Sequence, residues 1–122
     1  MLPEVMEAVT GRRFRSRPAV LKGYARYGFR RRVYPGLVRE DGERVEGGLY
    51  LAVDDRSLML LDEFEGPYYR KETVRVDSKD GAAPCLTYLV ADKFRALLNG
   101  EPWDVERFKT ACLEAYLGEC KS

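Results

Sequence analysis

Leu60-Leu61-Asp62-Glu63-Phe64-Glu65-Gly66-Pro67-Tyr68-Tyr69-Arg70 is the stretch on which the fold turns. It reads as the end of a short helix, a stop, and the start of a strand. Upstream, Asp54 or Asp55 caps the helix, Leu58, Leu60, Leu61 and Phe64 make its apolar side, and Gly66-Pro67 ends it. On the helical wheel Glu65 falls between Leu58 and Leu61, seven and four residues earlier, while Glu63 points away. One carboxylate therefore sits at the edge of a core-facing stripe, in the last turn of its helix. Partial desolvation and the negative end of the helix dipole both raise its pKa. A carboxylate raised toward neutrality is what general acid–base chemistry uses. A Glu before a C-capping Gly is more often a solvated helix end, and on the residues alone that reading is favoured over the functional one.

Working outward, Leu2 to Gly11 is a first helix, with Pro3 in its first turn, Val5, Met6 and Val9 on one face, and Gly11 closing it. Pro18 to Val38 reads as two or three strands, broken near Arg30–Arg32 and at Tyr34-Pro35-Gly36. Glu40-Asp41-Gly42-Glu43 reads as a turn. Val45 to Val53 follows as an alternating strand in which Gly47 and Gly48 mark a bulge or a close backbone approach.

Beyond the central stretch, Val74 and Val76 alternate with Thr73, Arg75 and Asp77. Ser78-Lys79-Asp80-Gly81 makes a hairpin turn, and Cys85 to Val90 returns as a buried strand. Ala91 to Gly100 is a short helix or loop. A final helix is capped by Asp104, carries Val105, Phe108, Cys112 and Ala115 on one face, and ends at Gly118, with Trp103 as a packing anchor. Helix, strands, helix, strands, helix, without regular strand–helix–strand alternation, predicts an α+β fold: a small, curled, mixed, mainly antiparallel sheet or barrel with flanking helices.

The 122 residues predict one domain over 1–122, with 45% hydrophobic and 34% charged residues, as in ordinary soluble proteins. No apolar run is long enough for a membrane span and no leader pattern opens the chain, so a cytoplasmic protein with no membrane partner is expected. Cys85, Cys112 and Cys120 are an odd set without metal or redox spacing and read as reduced thiols. There is no histidine, which removes Ser-His-Asp and Cys-His arrangements and the common zinc sites; no metal and no cofactor are predicted. Proton transfer at neutral pH then falls to a carboxylate, Tyr, Lys or Cys. Net charge is +1, yet residues 1–44 hold eleven Arg and Lys against five Asp and Glu, and the remainder ten against fifteen. The basic half suits an anionic partner or substrate carboxylates, or the two halves simply attract each other across the fold.

Leu61-Asp62-x-Phe64-Glu65-Gly66-x-x-Tyr69-Arg70 resembles the signature of the gamma-glutamylcyclotransferase-like family, in its gamma-glutamylamine cyclotransferase and avirulence-induced-gene-like branch. Pro18 to Tyr24, Val33 to Val38, Val45-Glu46-Gly47 and Trp103-Asp104-x-x-x-Phe108 resemble further segments, so the likeness runs from Leu2 to Leu117. It implies a small mixed barrel and release of 5-oxoproline and an amine from a small gamma-glutamyl compound by intramolecular aminolysis. It also implies Glu65 as the catalytic acid/base and Tyr34-Pro35-Gly36 at the border of the pocket, making Tyr34 and Gly36 substrate-binding candidates. Tyr69 and Arg70 point to opposite strand faces. Tyr69 is expected at the pocket, or as a core aromatic, with Arg70 paired structurally.

Relatives in this family begin with a buried strand and a Tyr-Gly-Ser/Thr-Leu loop whose backbone amides grip the substrate. Met1-Leu2-Pro3-Glu4 stands where that loop has already finished. A truncated chain is the expectation, ahead of a strand supplied by a partner or a non-catalytic relative. Exposed sheet edges would then favour a homodimer. A non-catalytic module binding protein, anion or nucleic acid is the alternative, carried by Arg26, Arg30, Arg31 and Arg32 interleaved with Tyr24, Tyr27, Phe29 and Tyr34. So small a net charge argues against a nucleic-acid partner.

Overall fold

The structure is a computed structural model that describes residues 2–30, 34–111 and 117. Arg31, Arg32, Val33, Cys112, Ala115, Cys120 and the expected helix stop at Gly118 lie outside the described residues.

Helix α1 (Pro3–Thr10) starts with proline in its first turn and closes at Gly11, whose N–H donates to the Glu7 carbonyl. Its inner face buries Val5 and Met6, and it packs on α2 (Asp55–Glu65). Asp54 caps α2. Its Oδ2 accepts from the Ser57 N–H at 3.2 Å, and its Oδ1 accepts from the Ser57 hydroxyl at 2.7 Å and from Arg12 at 3.0 Å. Ser57, 1% exposed, is thereby satisfied.

Two long strands, β1 (Ser16–Phe29) and β2 (Pro35–Tyr50), form an antiparallel ribbon. The hairpin of β3 (Tyr69–Ser78) and β4 (Gly81–Val90) turns at Lys79-Asp80, as its Asp-Gly signal predicts. β3 joins β1 through the pair Val20 and Asp77, and β5 (Leu98–Pro102) pairs with the far end of β1. Sheet order is β2-β1-β3-β4 with β5 beside β1, and every described pairing is antiparallel. The α+β expectation stands. Between β4 and β5 runs a 3₁₀ segment (Asp92–Leu97), and α3 (Val105–Ala111) follows, capped by Asp104 Oδ1 on the Glu106 and Arg107 N–H groups.

Three local expectations are corrected. Glu40–Glu43 is not a turn between strands: β2 runs through it, and the register slips there, because Lys22 faces Arg44 while Tyr24 faces Arg39. Gly23 (φ 83°) and Gly42 (φ 86°) take the left-handed conformations of this bulge at no side-chain cost. Gly47 and Gly48 sit in regular register with open space where a Cβ would be, so they mark neither a bulge nor a close approach. Leu98–Pro102 pairs as a strand, which no alternation in its sequence announced.

The core has two parts. Leu21, Tyr24, Val74, Val76 and Leu89 form one, with Cys85 packed against it as a free, half-buried thiol whose pKa burial raises. Phe29, Val38 and Val90 form the other, covered by Tyr34, Tyr69, Phe94 and Leu98. The second cluster holds the curl: a Cβ on Gly36 of β2 would lie 2.6 Å from Val90 of β4 and 2.8 Å from Leu98 of β5. Non-neighbouring strands meet there only because residue 36 has no side chain.

Candidate active site

Helix α2 carries Glu65 as its last residue and stops. Gly66, at φ 73°, donates its N–H to the Asp62 carbonyl, and Gly66–Tyr68 makes one 3₁₀ turn into β3. The positive φ is readily reached only without a Cβ, so the stop directly after Glu65 is built into the sequence. Leu61 is buried, Glu63 exposed and Glu65 half-buried, as the wheel requires. The Glu65 carboxyl makes no hydrogen bond or ion pair with any described residue. Burial pushes its pKa up to about 7.

Around Phe29 the 3₁₀ turn and its neighbours assemble an aromatic group. Tyr34 meets Phe29 edge-on at 5.6 Å between centroids, Tyr69 at 6.0 Å, and Tyr68 lies at 6.3 Å with Phe94 packed on it at 4.8 Å. Tyr69 donates its hydroxyl to the Pro35 carbonyl at 2.8 Å, tying β3 to the first residue of β2. Its phenolic proton is thus engaged by backbone, and its oxygen keeps acceptor capacity. Gly36 is buried beneath Val90, Leu98 and Phe29, and this packing alone accounts for glycine there. Arg70 points away and pairs with Glu72 at 3.3 Å. So Tyr34, Gly36 and Tyr69 gather on Phe29, and Glu65 stands four positions before Tyr69 in the chain.

A residue that sequence reasoning missed stands closer to Glu65 in electrostatic effect. Tyr88 on β4 faces Lys71 on β3, and both donate to Asp62: the Tyr88 hydroxyl to Oδ1 and Lys71 Nζ to Oδ2 at 2.9 Å. The last turn of α2 is thereby tied to the β3–β4 hairpin. Burial, the bond to Asp62 and the charges of Asp62 and Glu65 all drive the Tyr88 pKa upward. Asp62 moves the other way, held below the usual carboxylate range by Tyr88 and Lys71. Counting back from the Lys79-Asp80 turn sets Tyr88 opposite Lys71 and Val90 opposite Tyr69. That register was the signal available in the sequence.

Glu65 lines neither of two hollows on the surface, one of about 50 Å³ between α1 and Phe14, the other of about 420 Å³ between β2 and Trp103. The described residues contain no cluster of metal-ligating side chains and no helix long and apolar enough to cross a membrane. Of the aromatics proposed to interleave with arginine, Tyr24 and Phe29 are core residues at 9% and 3% exposure, so they present no faces for base stacking.

A curled antiparallel sheet with a carboxylate-ended helix leading into its β3–β4 hairpin is the gamma-glutamyl cyclotransferase type of fold. The chain belongs to that family: residues 1–105 match the group described as gamma-glutamyl cyclotransferase, AIG2-like. AIG2-like protein D of Arabidopsis thaliana is 32% identical over 120 residues, covering 96% of this chain and 78% of that protein. Protein AIG2 C of the same organism is 32% identical over 117 residues, covering 94% and 70%. A solution structure from Arabidopsis thaliana superposes with a TM-score of 0.71 at 30% identity, covering 98% of this chain and 73% of that one. A solved gamma-glutamyl cyclotransferase superposes with a TM-score of 0.63 at 15% identity, covering 99% and 80%, which is likeness of fold.

Proposed function

We propose that this chain acts on a small gamma-glutamyl compound, releasing 5-oxoproline and an amine, with Glu65 as general acid/base. What carries the proposal is a half-buried carboxylate, without a hydrogen-bond partner among the described residues, whose pKa lies at about 7. At neutral pH such a group is divided between its two protonation states, so it can both take and return a proton.

Glu65 removes a proton from the α-ammonium of the bound substrate. The freed nitrogen attacks the γ-carbonyl carbon, closing a five-membered ring. The tetrahedral intermediate collapses with cleavage of the original γ-carbonyl–nitrogen bond; the departing nitrogen takes the proton held by Glu65, and the surplus proton of the ring nitrogen passes through the regenerated carboxylate to the freed amine, which leaves as ammonium. Holding the glutamyl chain folded supplies much of the rate, because ring closure is then already oriented. Tyr69 and Tyr34 offer aromatic walls for that chain, and Gly36 keeps β2 close to them. Tyr88 and Lys71 hold Asp62 and so set the position of the last turn of α2. No step calls for a metal or an organic cofactor.

The test is 5-oxoproline release from a panel of gamma-glutamyl amines and amino acids, comparing the protein with its Glu65→Gln variant. Turnover that depends on Glu65 is the expected result. Undiminished turnover in the variant would remove Glu65 from the chemistry.

A further inference from the structure

The bulge in β2 has a consequence away from Glu65. It carries four residues, Glu40–Glu43, opposite the single Gly23. β5 meanwhile ends against β1, with Pro102 opposite Tyr27. Between them opens the hollow of about 420 Å³, within the range of small-molecule sites. Its floor is the Ala25–Tyr27 stretch of β1, and its walls carry Glu43, Arg44 and Glu46 on one side and Trp103 on the other.

The lining is unusual in its charges. Arg26 is half-buried, its guanidinium carbon 5.3 Å from the centre of the Trp103 ring. Five N–H donors there share one long hydrogen bond, from Nη2 to the Glu46 carbonyl at 3.5 Å. Burial lowers the Arg26 pKa below the ordinary arginine value, the sign of a cation short of solvent. Arg44 makes no side-chain hydrogen bond or ion pair with any described residue, and neither the Glu43 nor the Glu46 carboxylate is in an ion pair with one. Tyr27 has its hydroxyl committed to Glu40, and its side chain, packed against the Phe29, Val38 and Val90 cluster, also lines the hollow. Two guanidiniums and two carboxylates line one space beside Trp103 without an ion pair between them. A lone anion would meet the carboxylates and a lone cation the guanidiniums; a molecule bearing both charges meets neither penalty.

We propose that this hollow binds a small zwitterion of the amino-acid class, its carboxylate held by Arg26 and Arg44, its ammonium by Glu43 and Glu46, and its apolar body against Trp103 and Tyr27. The site is separate from Glu65 and does not depend on the reaction proposed there.

Trp103 is the single tryptophan of the chain, so its fluorescence and its indole N–H resonance report on this hollow directly. The full chain is titrated with L-leucine and with two analogues of the same body, isocaproate without the ammonium and isoamylamine without the carboxylate. L-leucine is expected to give a saturable change in both signals. Each analogue is expected to bind about tenfold or more weakly, the worth of a lost charge-assisted hydrogen bond. Arg44→Ala, at an exposed position, is expected to weaken L-leucine by a similar factor with unaltered Tm, whereas Glu65→Gln leaves the titration as it was. No response of either Trp103 signal to L-leucine overturns the proposal, as does equal binding of either analogue or full affinity in Arg44→Ala.

Discussion

Asp62 and Glu65 stand on neighbouring positions of one helix face, less than a turn apart, and the fold treats them in opposite ways. Asp62 is exposed, takes hydrogen bonds from Tyr88 and Lys71, and has its pKa lowered by them. Glu65 is half-buried, takes none from any described residue, and has its pKa raised by burial to about 7. Two carboxylates, one helix and two environments divide the labour: one fastens the helix to the β3–β4 hairpin, the other is left with a proton to exchange. Proximity in sequence says little about protonation; what faces each carboxyl says nearly all of it.

The widest separation between the two is expected in turnover. Glu65→Gln should lower kcat/KM for a gamma-glutamyl substrate by at least about a hundredfold, the usual scale for a lost general acid–base. In the unaltered protein kcat/KM should rise with pH to a plateau above about 7, as Glu65 ionises. Loss of that limb in the variant is the corresponding measurement.

Stability should separate them by sign. A carboxyl whose folded pKa lies above its unfolded value binds its proton more tightly when folded, so Glu65 costs stability as pH rises from its ordinary value toward about 7. Thermal melts should therefore show Glu65→Gln gaining on the unaltered protein across that window, reaching on the order of 1–3 kcal/mol above it. Asp62 contributes in the other direction. Its stabilisation is present above the usual aspartate pKa and fades as pH falls through its lowered folded value. Asp62→Asn should cost under about 1 kcal/mol at neutral pH, as exposed pairs do, and nothing in strong acid.

Smaller still is Tyr88→Phe. It leaves Lys71 on Asp62, so a Tm loss below that of Asp62→Asn is expected, with the pH midpoint of kcat/KM unmoved, because Tyr88 stays uncharged where Glu65 titrates. Glu63→Gln, exposed on the far side of the helix, should move none of these readouts. A Glu63 variant that did would break the distinction between the faces of α2.

Much of the local architecture could be read in advance. The Asp54 cap, the stop at Gly66, the Lys79-Asp80 turn and the closure of α1 at Gly11 all depend on residues within a few positions of one another. Glu65 was legible at the edge of its stripe for the same reason. The bulge at Glu40–Glu43 was not: Asp-Gly chemistry suits a turn and a bulge alike, and only pairing with Gly23 on β1 decides between them. β5 escaped because a strand of five residues at a sheet edge is defined by its partner rather than by alternation.

By itself the sequence determined where α1 and α2 begin and stop and which carboxylate of α2 faces inward, because these rest on short-range sterics, capping and periodicity, while the family was legible through the likeness of the Leu61–Arg70 signature. The tertiary structure alone decided that Asp62 would be held by Tyr88 and Lys71 while Glu65 would not, that Gly36 must lack a side chain, and that Arg26 would lie on Trp103. Each of those depends on which strands come together when the sheet curls, and the desolvation that sets a pKa exists only once they have.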